Sequence, residues 1–154
     1  MSITIMEKEL IAVGISVAAG CKPCTDYHLK AVRRAGASDD EVEHAIADAL
    51  AVREDATRIM EDYALGRLGE AGMDNDPAGG EETVETDRME VAVSLGAAFA
   101  VNCTSSLQRY LATAESVDIS QEDIEKIVKL AAFIRDKAAS HVENLVGLDE
   151  EEMA

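Results

Sequence analysis

Cys21-Lys22-Pro23-Cys24 is followed by Thr25-Asp26-Tyr27-His28, so a histidine stands four positions after the second of two closely spaced cysteines. Thiolates are both redox nucleophiles and soft metal ligands, and this spacing serves either use. Two cysteines three apart across the start of a helix close a disulfide with little movement. On that helix His28 lies one turn beyond Cys24 on the same face, and Val32 and Ala35 continue the stripe. The imidazole is therefore expected to point inward, where its neutral form can take a proton from Cys24. Cys21, at the helix start, has the exposed amides and helix dipole in its favour as a thiolate, and Lys22 favours either sulfur. Three readings are open at this point: a redox pair, a metal clasp, or a secretion signal. The last arises because the apolar run Leu10 to Ala19 leads through Gly20 into Cys21, as before a lipidated cysteine.

The metal reading has three ligands drawn from little more than two turns of one helix, and no second Cys/His pair supplies a fourth. His44 and His141 have acidic or polar neighbours and read as surface residues. No metal and no cofactor is expected. The signal reading needs a positive start, yet the only basic residue before the run, Lys8, sits between Glu7 and Glu9. A cytoplasmic location is expected instead. Asp26 and Tyr27 are expected to face away from the cysteines.

The elements that position these residues occur twice. Shifted by 82 residues, the chain matches itself without a gap: Gly14 falls on Gly96, Cys21 on Cys103, Leu29 on Leu111, Ser38 on Ser120, Glu43 on Glu125, Arg53 on Arg135 and Ala56 on Ala138. The run Leu95 to Cys103 falls on Val13 to Cys21 but lies in mid-chain, where no signal can act, so both runs read as core helices. In each half three helices are expected. In the first they span about Thr4 to Ala19, then Cys21 or Lys22 to Gly36 with Pro23 in the first turn, then a helix opened by the capping box Ser38-Asp39-Asp40-Glu41. In the second they span Glu90 to Val101, Cys103 to Glu115, and Ser120 to about Asn144. Only the first half keeps the pair. Ser106 replaces the second cysteine and Tyr110 the histidine, so Cys103 is expected to be buried and structural.

The fold class is therefore all-α, a helical bundle of two tandem three-helix repeats. A single domain is expected over 1–154, with the redox motif in a repeat at 1–65, a linker at 66–86, a degenerate repeat at 87–146 and an acidic tail at 147–154. The composition agrees. Apolar residues make up 47% of the chain and aromatics only 3%, a bias toward closely packed helices. A formal charge of −17 argues against nucleic acid and against anionic membranes as partners. An odd count of 3 cysteines is no disulfide framework.

Glu9, eleven intervening residues, Cys21-Lys22-Pro23-Cys24, three residues and His28, with Gly36 beyond, resemble the carboxymuconolactone decarboxylase superfamily, and more narrowly its alkylhydroperoxidase D-like branch. The match is clear over about Glu9 to Arg58, with a degenerate echo over Val91 to Ser140. The resemblance implies an all-helical fold, assembly as a homo-oligomer (trimer or hexamer), and a thiol-dependent peroxidase or disulfide reductase with an antioxidant role. A hydroperoxide would be the substrate, and a dithiol or lipoyl-type protein the reductant. It implies a proton relay from Glu9, through water, to His28. One cysteine would attack the peroxide and the other resolve the sulfenic acid as a disulfide. Proximity to His28 favours Cys24 as the attacking thiol, leaving Cys21, expected nearer the surface, to meet the reductant; the helix-start argument favours the reverse. The alternatives are a non-enzymatic redox-sensing or scaffold oligomer and, since the decarboxylases proper lack the cysteine pair, less favourably a lactone decarboxylase.

Overall fold

The computed structural model describes residues 2–69 and 87–147. Six α-helices and one short 3₁₀ turn make up the architecture of the described residues: α1 (Ile5–Ala19), α2 (Lys22–Arg34), α3 (Asp39–Gly69), α4 (Arg88–Ala100), α5 (Thr104–Ala114), the 3₁₀ turn Glu115–Val117, and α6 (Gln121–Leu145). The all-α bundle expected from sequence is the fold observed, and no strand occurs among the described residues.

α1 and α4 form the centre. Their apolar residues do not alternate with polar ones at helical spacing because these helices are covered on all sides: Leu10 to Ser16 and Val91 to Ala98 are buried without interruption. α1 touches α2, α3, α4 and α6, while α4 touches α3, α5 and α6. The two central helices pack closely because Gly14 and Gly96 lie where they meet. A Cβ on Gly14 would come 2.6 Å from Val93 Cγ1 and 3.3 Å from the Ala45 carbonyl oxygen, and one on Gly96 would come 2.7 Å from Ile15 Cδ1. α2 and α5 are peripheral, amphipathic helices with few fully buried residues.

The turn that leads into each peripheral helix is built twice. Cys21 N–H donates to the Ser16 carbonyl at 3.0 Å, and Cys103 N–H donates to Ala98 at 3.0 Å. Gly20 and Asn102 precede these cysteines, both in the left-handed region with φ of 74° and 60°. Asparagine is among the few residues with a side chain that accept this conformation readily. Arg53 reaches from α3 to the Ala18 carbonyl at 3.0 Å, closing the C-terminus of α1, and Arg135 reaches from α6 to Asn102 Oδ1 at 2.8 Å beside the C-terminus of α4. At the far end of the peripheral helices Ala37 N–H bonds the Val32 carbonyl and Ile119 N–H bonds Ala114. Each of these pairs stands 82 positions apart, the offset read from the sequence.

The N-termini are capped as their residues require. Thr4 and Glu7 form a capping box on α1, Ser38 bonds Glu41, Asp87 accepts from Met89 and Glu90, and Ser120 accepts from Asp123. Asp123, 1% exposed, also accepts from Ile3 N–H and faces Arg88, which bonds Glu7 at 2.7 Å; this network ties together the starts of α1, α4 and α6.

α3 differs from expectation in length. It runs to Gly69, so residues 66–69 of the expected linker are helical; the rest of that linker, and residues 148–154 of the expected acidic tail, lie outside the described residues. Gly66 and Gly69 are tolerated because a glycine inside an exposed helix costs only about 1 kcal/mol against alanine.

Candidate functional site

The site begins with the turn between α1 and α2. Cys21 is the N-cap of α2, and its sulfur accepts the Cys24 N–H at 3.2 Å; Pro23 occupies the first turn, where its missing amide proton removes no helical hydrogen bond. One helical turn places the two Cα atoms 5.3 Å apart, and the sulfurs are joined as a disulfide. The spacing expected to close a disulfide with little movement thus closes one. Thr25 hydroxyl donates to the Cys21 carbonyl at 2.8 Å and closes the turn from the other side.

The two sulfurs are not equivalent, and here the structure corrects the sequence reading. Cys21 was expected nearer the surface, but it is 3% exposed, whereas Cys24 is only partly buried. The N-cap residue is drawn inward because its N–H bonds Ser16 within the last turn of α1. Cys24, one turn into the helix, is partly buried and packs against the core on the same face as His28.

His28 and Glu9 meet directly. α2 folds back along α1, and His28 Nδ1 lies 2.8 Å from Glu9 Oε2, with side-chain exposures of 12% and 17%. The expected relay through water is therefore replaced by a direct contact. A carboxylate only accepts, so Nδ1–H donates to it and Nε2 is left as the basic nitrogen. His28 points inward as its stripe predicted, and Tyr27, 68% exposed, packs the edge of its ring against the imidazole with centroids 5.0 Å apart. Asp26 and Tyr27 are both exposed, away from the cysteines.

One residue was missed. His141, near the end of α6, brings an imidazole nitrogen to within 4.8 Å of the sulfurs of both Cys21 and Cys24. It is exposed, as expected of a surface residue, but it stands at the pair. The reading of His141 as a surface residue holds, but its approach to the pair was not foreseen. Nothing local in the sequence around position 141 signals this, because it depends on how α6 crosses the start of α2. His44, by contrast, is exposed and occupied by the Asp40 carbonyl at 2.8 Å.

The equivalent place in the second half lacks the second cysteine, the histidine and the acid. Cys103 is buried and unpaired with another sulfur, and its thiol donates to Ser106 Oγ at 3.2 Å. Tyr110 occupies the position of His28; burial, opposed by Arg109 and Ser94, holds its phenol above the ordinary value. Val91, fully buried, stands where the first half has Glu9. Among the clefts of the described residues, one of about 510 Å³ lies between α1 and α6, lined by Lys8, Lys126 and Lys129, and one of about 520 Å³ lies beside Cys103.

With this geometry in place, the comparisons with known proteins agree with it where they speak. Residues 5–61 match the carboxymuconolactone decarboxylase family, a segment that spans α1, α2 and most of α3 and so includes Glu9, both cysteines of the pair and His28. No curated protein and no solved structure matches the chain.

Proposed function

We propose that the protein is a thiol-dependent peroxidase or disulfide reductase, with an antioxidant role, that cycles Cys21 and Cys24 between dithiol and disulfide. The observation that carries this reading is the disulfide at the start of α2 with the hydrogen-bonded His28–Glu9 pair one turn behind it.

Glu9 fixes the tautomer of His28, and Nε2 draws the proton from the Cys24 thiol. The thiolate attacks one oxygen of a hydroperoxide. The O–O bond breaks, the alcohol leaves with a proton, and Cys24 becomes a sulfenic acid. The Cys21 thiol then attacks that sulfur, expelling water and forming the disulfide. The cycle closes when an external dithiol attacks the disulfide, passes through a mixed disulfide and leaves oxidised, returning both protein thiols. The burial of Cys21 favours Cys24 as the sulfur that meets both peroxide and reductant, with Cys21 resolving from inside. Glu9 is a positioning residue in this scheme, since it acts only through His28.

A dithiol or lipoyl-type protein fits the reductant's role, because Cys24 is partly exposed. Assembly into a homo-oligomer, trimer or hexamer, belongs to the same reading. Met60, Tyr63, Leu65 and Leu68 lie exposed along the second half of α3, apolar surface that a further copy would cover.

The test is a thiol count in chelator-treated buffer. One equivalent of hydroperoxide should remove two thiols rapidly, and a dithiol should restore them. The Cys103→Ser variant should behave identically, since Cys103 takes no part. Retention of all thiols after peroxide would overturn the reading and leave a redox-inert scaffold.

A further inference from the structure

We infer that the reduced chain holds a zinc-class divalent cation between the thiolates of Cys21 and Cys24 and the imidazole of His141. The argument starts from donor chemistry. Two thiolates and an imidazole select zinc over magnesium or calcium, which take oxygen ligands. These three donors come from two elements, so the cation would be held between α2 and α6 and not along one helix. Their ligand atoms already lie within 4.8 Å of one another. In a tetrahedral site with zinc–sulfur bonds of about 2.3 Å and zinc–nitrogen bonds of about 2.0 Å, these donors stand roughly 3.5–3.8 Å apart. Reduction of the disulfide frees the two sulfurs to separate to this spacing, and the His141 nitrogen closes the remainder. His141 is exposed and free to turn, and Cys24 is partly so.

The surroundings favour a cation as well. The chain's net charge of −17 raises the local concentration of divalent ions. His141 lies in the last turns of α6, whose C-terminal carbonyls carry the negative end of the helix dipole. The exposed side of the triad leaves a fourth position for water. His28 is not part of the cluster, being held by Glu9.

Binding and oxidation exclude each other. Loading the cation removes the protons of two thiols and forms two zinc–sulfur bonds, with no change of oxidation state. A disulfide offers no thiolate, so the oxidised chain has no site. The cation would shield the pair from oxidants, and a disulfide would release it. This inference needs only that the pair can be reduced; it does not rest on peroxide being the oxidant.

The experiment uses the full chain, reduced with a phosphine and freed of metal. Zinc ion alone is titrated in competition with a chromophoric chelator, and cobalt ion is titrated in parallel. One equivalent should bind the reduced chain and none the disulfide form. Cobalt should give a thiolate charge-transfer band and the strong visible bands of tetrahedral coordination. His141→Ala, a change at an exposed position, should weaken zinc binding at least about tenfold and diminish the tetrahedral cobalt bands. The peroxide-driven loss and dithiol-driven recovery of thiols are read on the parent chain in chelator-treated buffer. Equal zinc affinity in the parent and His141→Ala chains, or equal binding by the oxidised chain, would overturn the inference while leaving the thiol cycle standing. Zinc binding as stated without a thiol cycle would remove the proposed function and leave the inference intact.

Discussion

At the scale of single residues, the site depends on which groups are allowed to be charged and which are allowed to be seen. Glu9 is a mid-helix acid beside Lys8, and in the sequence it is indistinguishable from a solvated side chain. Only the fold-back of α2 along α1 turns it into a partner for His28. Glu9→Gln keeps the size of the side chain and removes its charge. The rate at which peroxide consumes the dithiol should fall about tenfold at neutral pH, and His28→Gln should lower it about a hundredfold. Both deficits should shrink at alkaline pH, where the thiolate forms without help. Stopped-flow rates across a pH series check this; pH profiles that superimpose on the parent's would remove the pair from the mechanism. The cysteine spacing and the inward His28 were legible because they are properties of one helix. The burial order of the two sulfurs and the approach of His141 were not, because each is set by a second element crossing the first.

At the scale of elements, the peripheral helices can carry chemistry because the central ones are tightly fixed. Gly14 is the sharpest case. An added Cβ would meet Val93 Cγ1, a stiff β-branched side chain that is fully buried, and would crowd a backbone carbonyl of α3 that cannot move independently. Gly14→Ala should destabilise the protein by about 1–2 kcal/mol, an overpacking cost that exceeds alanine's better helix propensity. Gly96→Ala meets Cδ1 and Cγ1 of Ile15, another fully buried β-branched side chain, at 2.7 and 2.8 Å and should cost a similar amount. Denaturant melts of the two variants, compared with the parent, decide this; a stabilised Gly14→Ala would show that α1 and α4 have room to spare. The continuous apolar runs of α1 and α4 were readable as buried helices because their length and caps fit no strand. The full length of α3 was not readable. Its glycines resemble linker residues, and propensity at an exposed helix end is a weak signal.

At the scale of the whole molecule, the two halves share structure but divide the charge and the chemistry unequally. Asp48 of α3 lies close to Glu90 and Asp87 at the start of α4, and burial together with those carboxylates pushes its carboxyl up to about 6. An acid raised in this way contributes stability that is full below its unfolded value of 3.8 and is lost as pH rises through about 6. The protein should therefore melt at progressively lower temperature between those limits. Asp48→Asn should flatten that slope and gain about 1 kcal/mol at neutral pH, a figure reduced for solvent screening of a half-buried group. Thermal melts from pH 4 to 7 test this directly, and a parent chain with no slope in this window would refute it. The repeat was legible because identical residues recur at one offset. What the sequence could not convey is that the backbone around Cys103 reproduces the backbone around Cys21 down to its hydrogen bonds, with Asn102 substituting for Gly20. Ser106 already stands beside the Cys103 sulfur, within hydrogen-bonding reach of it. The second half thus offers the same backbone frame without the second cysteine, the histidine and the acid, so what separates the two halves at this place is a few side chains and not a different fold.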